Sequence, residues 1–262
     1  MSRTGLFDSH AHMDSDYFTD DRDALLTQLQ EELDGIINPG CDEITSGFAV
    51  SLAEKYDFMY AAVGWHPEDL EGILDNSYLD ELAAWAVHPK VVAIGEIGLD
   101  YYWKGNEPKD VQKRRLLEQL DLAKQFELPV IIHDRDAHGD ILEIFQKEVT
   151  GVRAVFHCYS GSVEMARELV RRGWYLGFDG PVTYKNARKA LEVLEWCPLE
   201  RILVETDSPY LTPVPFRGKR NDSTKLRYIV EKIAEIKGLG AGAVARATSE
   251  NASRLFGVVL DK

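Results

Sequence analysis

The chain has 262 residues, of which 45% are apolar and 28% charged, an ordinary globular composition that excludes disordered and collagen-like proteins. Its 30 lysines and arginines against 44 acidic residues give a net charge of −14, which disfavours extensive wrapping of duplex DNA because it opposes long-range attraction to a polyanion. A site that grips a few nucleotides stays open, since bound dications can supply local positive charge.

The sequence shows neither a membrane segment nor a secretory signal. No apolar run approaches the ~20 residues that span a bilayer, and the first ten residues lack the long apolar segment of a signal peptide. Cys41, Cys158 and Cys197 lie far apart and are odd in number, which fits neither a disulfide framework nor a paired-cysteine zinc motif. We therefore expect a cytoplasmic protein in reducing surroundings, with no membrane partner.

Short apolar, β-branched runs alternate along the chain with amphipathic stretches of helical period, a pattern typical of successive βα units. The predicted strands lie near Gly5 to Asp8, Gly35 to Asn38, Phe58 to Val63, Val91 to Ile94, Val130 to Ile132, Ala154 to Phe156, Trp174 to Phe178 and Arg201 to Val204. The alternation predicts an α/β protein, a (β/α)8 TIM barrel that forms a single domain over residues 1–262, because such barrels typically need ~250 residues.

The clearest helix prediction covers Pro108 to Glu127, which opens on a proline and stops before Pro129. The segment Thr212 to Ser223 is predicted as the one long loop, after the last strand. Two final helices, residues 223–237 and 241–256, are expected to complete the outer layer.

Five of the seven histidines and several acids come directly after predicted strands, at the end where a parallel barrel collects its active-site residues. In chain order these residues are Asp8, His10 and His12, then Cys41, His66, Glu96, His133, His157, Asp179 and Asp207. The remaining two histidines, His88 and His138, are expected to lie outside the site.

Histidines two apart on an extended segment point to the same side, so His10 and His12 can reach one metal ion. Together with Glu96, His133, His157 and Asp207 they provide enough donors for two dications that share a carboxylate. The alternatives are strand-end histidines bonded to backbone and a salt-bridged glutamate at a helix start.

Such a site predicts hydrolysis, because one dication lowers the pKa of a bound water while a second withdraws charge from the attacked and leaving oxygens. A carboxylate beside the ions can then take the proton from the water. Asp207 is the candidate general base, since it follows the last strand where metal and water would meet.

Four other positions have two interpretations each. Asp8 is interpreted as a partner that fixes a ligand ring rather than as a ligand. His66 precedes Pro67, and is either a substrate-binding residue or a turn residue. Cys158 is interpreted as a buried structural thiol rather than a nucleophile. The basic cluster that contains Arg217 is either a solvated loop or a phosphate-positioning segment.

The segments DSHAH, GWHP, GEIGLDYY, PVIIHDRDA, FHCYSGS and ETDSPYLTPVPFRGKRN, followed by NASRLFG, resemble those of the TatD-like metal-dependent deoxyribonucleases, within the amidohydrolase type of barrel. The resemblance covers nearly the whole chain. It implies that His10, His12 and Asp207 hold one metal, that His133 and His157 hold the other, and that Glu96 bridges them. It also implies that His66 and Arg217 meet the substrate phosphate.

The resemblance implies cleavage of DNA ends, chiefly as a 3′-to-5′ exonuclease on single strands, with roles in DNA repair or degradation. Two divalent ions are the expected cofactors, with zinc, manganese, iron or magnesium compatible with these donors. No obligate protein partner is expected. Two alternatives remain: an amide or ester hydrolase or aminoacyl-tRNA deacylase on the same barrel, and a non-catalytic, metal-stabilised binding scaffold.

Overall fold

A computed structural model describes residues 5–73, 75–147 and 149–260. Its eight strands form one parallel sheet in the order β1 to β8, so each strand neighbours the next in sequence. The strands are β1 (Phe7–Asp8), β2 (Gly35–Pro39), β3 (Met59–Val63), β4 (Val91–Asp100), β5 (Val130–Arg135), β6 (Ala154–Phe156), β7 (Tyr175–Phe178) and β8 (Ile202–Val204). The predicted (β/α)8 barrel is confirmed.

Helices follow the strands and cover the outside of the barrel. They are α1 (Arg22–Glu32), α2 (Glu43–Lys55), α3 (Ser77–Ala86), α4 (Lys109–Gln125), α5 (His138–Lys147), α6 (Val163–Arg171), α7 (Arg188–Trp196), α8 (Leu226–Lys237) and α9 (Ala241–Phe256). The prediction for α9 is confirmed to the residue, whereas the predicted helix over residues 223–237 begins with a 3₁₀ turn at Ser223–Lys225. In the part of the chain that the structure describes, no helix is long and apolar enough to cross a membrane.

The barrel closes between β8 and the segment that continues β1. The backbone N–H of Ser9 donates to the carbonyl of Val204 over 3.1 Å, and that of Asp207 donates to His10 over 2.9 Å. A parallel bridge joins Ala11 to Ser208. These bonds bring the first and last predicted site segments side by side.

The inside of the barrel is a packed apolar core below the site. It consists of Phe7, Ile37, Ala62, Ala93, Ile131, Val155 and Leu203, together with residues at the end of α9. Contacts such as Ser249 Oγ donating to the carbonyl of Gly5 hold α9 against the amino ends of the strands. Because apolar side chains fill this end of the barrel, the polar site lies at the carboxyl ends of the strands, as in other barrels of this type.

The prediction for β4 was too short. The strand runs six residues beyond Ile94 and contains Glu96, which was expected in the loop after it. A β-bulge lies between Ile94 and Ile97, where β4 advances three residues while β5 advances two. The bulge turns Glu96 toward the histidines. Gly98 is needed here, since its φ is +157° and a Cβ would overlap the carbonyl oxygen of His133.

Candidate metal centre

The site residues continue the inward-facing rows of the barrel strands. His133 lies two residues after Ile131, and His157 two residues after Val155, so both keep the parity of the interior. Glu205 follows Leu203 in the same way. The polar cluster is therefore the uppermost layer of the barrel core, and its side chains rest on apolar neighbours.

A first group of donors surrounds one oxygen of Glu96. The Nε2 atoms of His10 and His12 lie 3.2 Å apart, and Glu96 Oε2 is 3.1 Å from the first and 3.7 Å from the second. Asp207 Oδ1 is 3.7 Å and 3.6 Å from the same two nitrogens. Four donor atoms from the segment after β1, from β4 and from the segment after β8 thus enclose one point.

A second group surrounds the other oxygen of Glu96. Oε1 lies 2.8 Å from His157 Nε2, 2.9 Å from His133 Nδ1 and 3.4 Å from His66 Nε2. His157 Nε2 and His133 Nδ1 are 3.5 Å apart. The carboxylate of Glu96 is therefore shared, with one oxygen for each group of histidines.

Spacing and chemistry of the donors both fit dications. Ligand atoms bound ~2.0 to 2.2 Å from one tetrahedral ion lie roughly 3.3 to 3.6 Å apart, close to the separations in both groups. The rings of His10 and His157 stack with centroids 4.0 Å apart. If both rings were protonated, their positive charges would repel each other at this distance. The stacking therefore favours at least one neutral ring, and the neutral form of imidazole is the one that binds a metal ion.

Burial and mutual charge shift the pKa values of the cluster in opposite directions. Burial, reinforced by His157, lowers the pKa of His10 to about 4. Burial alone would raise the pKa of Glu96, but the surrounding His157, His10 and His66 hold it well below its ordinary value. Burial raises the pKa of Asp207 to about 7 against the opposing effect of His157. Glu96 is thus the fixed anion of the centre.

Two acidic residues that sequence reasoning missed orient the histidines. Asp100 Oδ2 lies 3.0 Å from His133 Nε2, which leaves Nδ1 facing Glu96. Glu205 Oε1 lies 3.6 Å from His157 Nδ1, leaving Nε2 free toward the centre. Burial opposes a charge on His133, but hydrogen bonds with Asp100 and Glu96 raise its pKa to about 8. Two-residue parity along β8 was the signal that could have found Glu205, whereas Asp100 lies beyond the predicted end of β4.

Asp8 supports the backbone that carries the ligands. Its carboxylate accepts hydrogen bonds from the backbone N–H groups of His10 and Thr206 and, over 2.6 Å, from the Thr206 hydroxyl. It was expected to fix a ring, whereas these bonds link the first and last strand ends. Burial raises its pKa to about 6.

His66 lies in the cluster, and one of its two ring nitrogens is already hydrogen-bonded to the backbone. Nδ1 accepts a hydrogen bond from the backbone N–H of Glu68, so the neutral ring carries its proton on Nε2 and presents a donor to the cavity. Burial, with the nearby His133, lowers the pKa of His66 to about 4, which favours this neutral form. The ring is suited to donate to an anionic oxygen.

The remaining predicted residues lie around the cluster. Arg217 is exposed, and its guanidinium stacks 4.1 Å from the ring centre of Tyr184, which lines the cavity above the cluster. Cys158 also lines the cavity, because its φ of +43° turns the chain out of the strand, and burial raises its thiol pKa well above the ordinary value. Cys41 and Asp179 line it too. The cavity measures about 1150 Å³.

His88 and His138 stay outside the cluster, as predicted. His88 contacts Glu54 ahead of β4, and His138 bonds to Asp134 at the start of α5.

Comparisons of this chain with known proteins lead to one family. A family model described as TatD related DNase matches residues 7–257. The uncharacterized metal-dependent hydrolase YabD of Bacillus subtilis is 45% identical over 255 residues, covering 96% of this chain and 98% of the relative. A Citrobacter koseri protein named 3′-5′ ssDNA/RNA exonuclease TatD is 34% identical over 263 residues, covering 97% and 99%.

Solved structures agree with the sequence relatives. The crystal structure of YJJV, a TatD homolog from Escherichia coli K12, has a TM-score of 0.89 and 32% identity, and the match covers 98% of this chain and 99% of that one. The chain therefore belongs to the TatD-related DNase family and is a metal-dependent hydrolase.

Proposed function

We propose that this TatD-family hydrolase cleaves phosphodiester bonds at the ends of single-stranded DNA, in the 3′-to-5′ direction, with two divalent ions. The observation that carries the proposal is the shared carboxylate of Glu96, which faces two histidine groups with one oxygen each. A bridged pair of dications ~3.5 to 4 Å apart is the arrangement used for in-line phosphoryl displacement.

In this proposal His10, His12 and Asp207 would hold one ion, His133 and His157 would hold the other, and Glu96 would offer one carboxylate oxygen to each. Ions held there would make a bound water more acidic and would withdraw charge from the phosphoryl and leaving oxygens. Zinc, manganese and magnesium all fit a donor set that mixes imidazole nitrogens with carboxylate oxygens.

The residues around the ions position the substrate and move the proton. Asp207, beside His10 and His12, accepts the proton of the attacking water. His66 donates from Nε2 to a phosphate oxygen, and Arg217 holds a neighbouring phosphate from the loop after β8. The Citrobacter koseri relative, named for single-stranded substrates and 3′-5′ action, supports this choice of substrate and direction.

A labelled single-stranded oligonucleotide tests the proposal. We expect stepwise shortening from the 3′ end, full loss of cleavage after chelation, and recovery on adding back a dication. His133→Ala should remove most of the activity. Cleavage that survives chelation, or that is unchanged in His133→Ala, would contradict the proposal.

The alternatives are outcomes of the same assay. Faster turnover of amide, ester or aminoacyl-tRNA substrates than of DNA would assign the metals to acyl chemistry. No turnover of either class with several dications would leave a metal-stabilised scaffold.

We expect Asp100→Asn to weaken metal binding about 10- to 100-fold, because an amide orients and polarises His133 less well than the carboxylate. The measurement is competition with a chromophoric chelator for the more weakly held ion. Asp110→Asn, on the exposed first turn of α4, is the matched control. Equal affinities in the two variants would contradict the role of Asp100.

We expect metal loading to weaken as the pH falls. In the ion-free protein the pKa values are about 8 for His133 and about 7 for Asp207, so both bind protons below those values and must release them to an incoming ion. Release of at least one proton predicts about tenfold or more weaker binding per unit between pH 7 and pH 6. Titration calorimetry in two buffers of different ionisation enthalpy measures the protons released, and a pH-independent affinity would refute the expectation.

A further inference from the structure

Two exposed aromatic residues and an arginine form a stacking platform beside the cavity. Tyr102 and Trp103, in the loop after β4, are each 51% exposed. The guanidinium of Arg135 lies 4.0 Å from the ring centre of Tyr102 and 5.6 Å from that of Trp103. Trp103 and Arg135 line the cavity above the metal centre. We call these three residues the stacking platform.

Cations gather on the same side of the cavity mouth. Arg135 ends β5, Lys189 lies in α7 after β7, and Arg217 lies in the loop after β8. Among the described residues none of the three pairs with a carboxylate. The neighbouring Arg188 is held by Glu192 over 2.9 Å. We call these three unpaired residues the cationic side.

The opposite side of the mouth is acidic. Asp14, Asp42 and Asp69 come from the segments after β1, β2 and β3, and all three line the cavity. Within the described chain none of the three forms an ion pair with a lysine or arginine. The cavity lining that these segments supply contains no lysine or arginine either. Burial, reinforced by Asp42, raises the pKa of Asp69 to about 6, so the carboxyl group of Asp69 is still anionic at neutral pH.

Building on the proposed function, we propose that a single strand lies over only half of the mouth, from the stacking platform along the cationic side. The acidic side repels any continuation of the strand beyond the cleaved phosphate. The division of the mouth, rather than the metal centre, then restricts cleavage to strand ends.

The physical basis is the short range of charge effects in the mouth. At physiological ionic strength the Debye length is about 8 Å, so carboxylates that line the cavity act on a phosphate inside it. Continuing a polynucleotide across the mouth would place phosphates against the acidic side, where the described lining residues include no lysine or arginine to offset them. A base on the platform requires an unstacked strand, because only such a base offers its face to an aromatic ring.

The first experiment compares a linear oligonucleotide with a closed single-stranded circle of the same sequence. The variant carries Asp14→Asn, Asp42→Asn and Asp69→Asn, whose amides keep the shape of the side chains, and the amide at position 42 keeps a capping oxygen for α2. The charge-matched control carries Asp57→Asn, Glu231→Gln and Glu250→Gln, exposed residues that do not line the cavity.

We expect the ratio of circle cleavage to linear cleavage to rise about tenfold or more in the triple variant and to stay at the wild-type value in the control. An unchanged ratio in the triple variant, or a wild type that cuts circles as fast as linear strands, would overturn the inference. A wild type that cuts no DNA would instead refute the proposed function, which keeps the two failures distinct.

The second experiment addresses the platform. Trp103→Ala should raise the KM for single-stranded DNA about tenfold while kcat changes far less, because base stacking binds substrate and reacting phosphate equally. Trp103→Phe should recover most of the affinity. An equal loss in both variants, or a loss in kcat alone, would overturn the role of the platform.

Discussion

Glu96→Gln is expected to reduce kcat/KM for single-stranded DNA by about a thousandfold or more and to lower the bound metal from two ions to at most one per chain. The carboxylate faces His10 through one oxygen and His157 through the other, and a neutral amide offers only one oxygen donor. Loss of one ion removes several kcal/mol of transition-state stabilisation, and each 1.36 kcal/mol corresponds to a factor of about ten.

Metal content by elemental analysis and turnover should be measured on the same preparation. Glu164→Gln, exposed in the first turn of α6, is the matched control. Circular dichroism and thermal unfolding separate the loss of the ion from a loss of the fold. A Glu96→Gln protein that holds two ions and keeps more than about a tenth of wild-type turnover would show that the carboxylate does not bridge.

The sequence was sufficient to predict the fold and the cluster because both depend on the same periodicity. Apolar runs of strand length located the strands, and the first residues after each run had to lie at one end of a parallel barrel. His10, His133 and His157 were predicted on that ground, and the structure brings all three to Glu96. No tertiary detail was needed for these positions.

The sequence was insufficient where local backbone departs from the regular pattern. The bulge in β4 carries the strand on to Asp100, so the partner of His133 was hidden in what was taken for a loop. The positive φ of Cys158 likewise brings a residue interpreted as a buried structural thiol into the cavity wall. The stacking platform depends on a contact between the loop after β4 and the last residue of β5, which sequence periodicity does not reveal.

Asp207→Asn is expected to lower kcat by about 10²- to 10⁴-fold, the usual contribution of a positioned general base. The asparagine oxygen can still face His10 and His12, because the backbone N–H of residue 207 is held by the carbonyl of His10 over 2.9 Å. What the amide cannot do is accept a proton. Both ions should therefore remain bound while turnover is lost.

This pattern separates proton transfer from metal binding and from substrate binding. Elemental analysis should find nearly two ions per chain in Asp207→Asn, and fluorescence anisotropy should find single-stranded DNA bound about as tightly as by the wild type. A variant that loses an ion would make Asp207 chiefly a ligand, whereas one that keeps both ions and nearly full kcat would remove it from proton transfer. Because the fold and both ions persist in the expected case, the lost turnover would also exclude a non-catalytic scaffold.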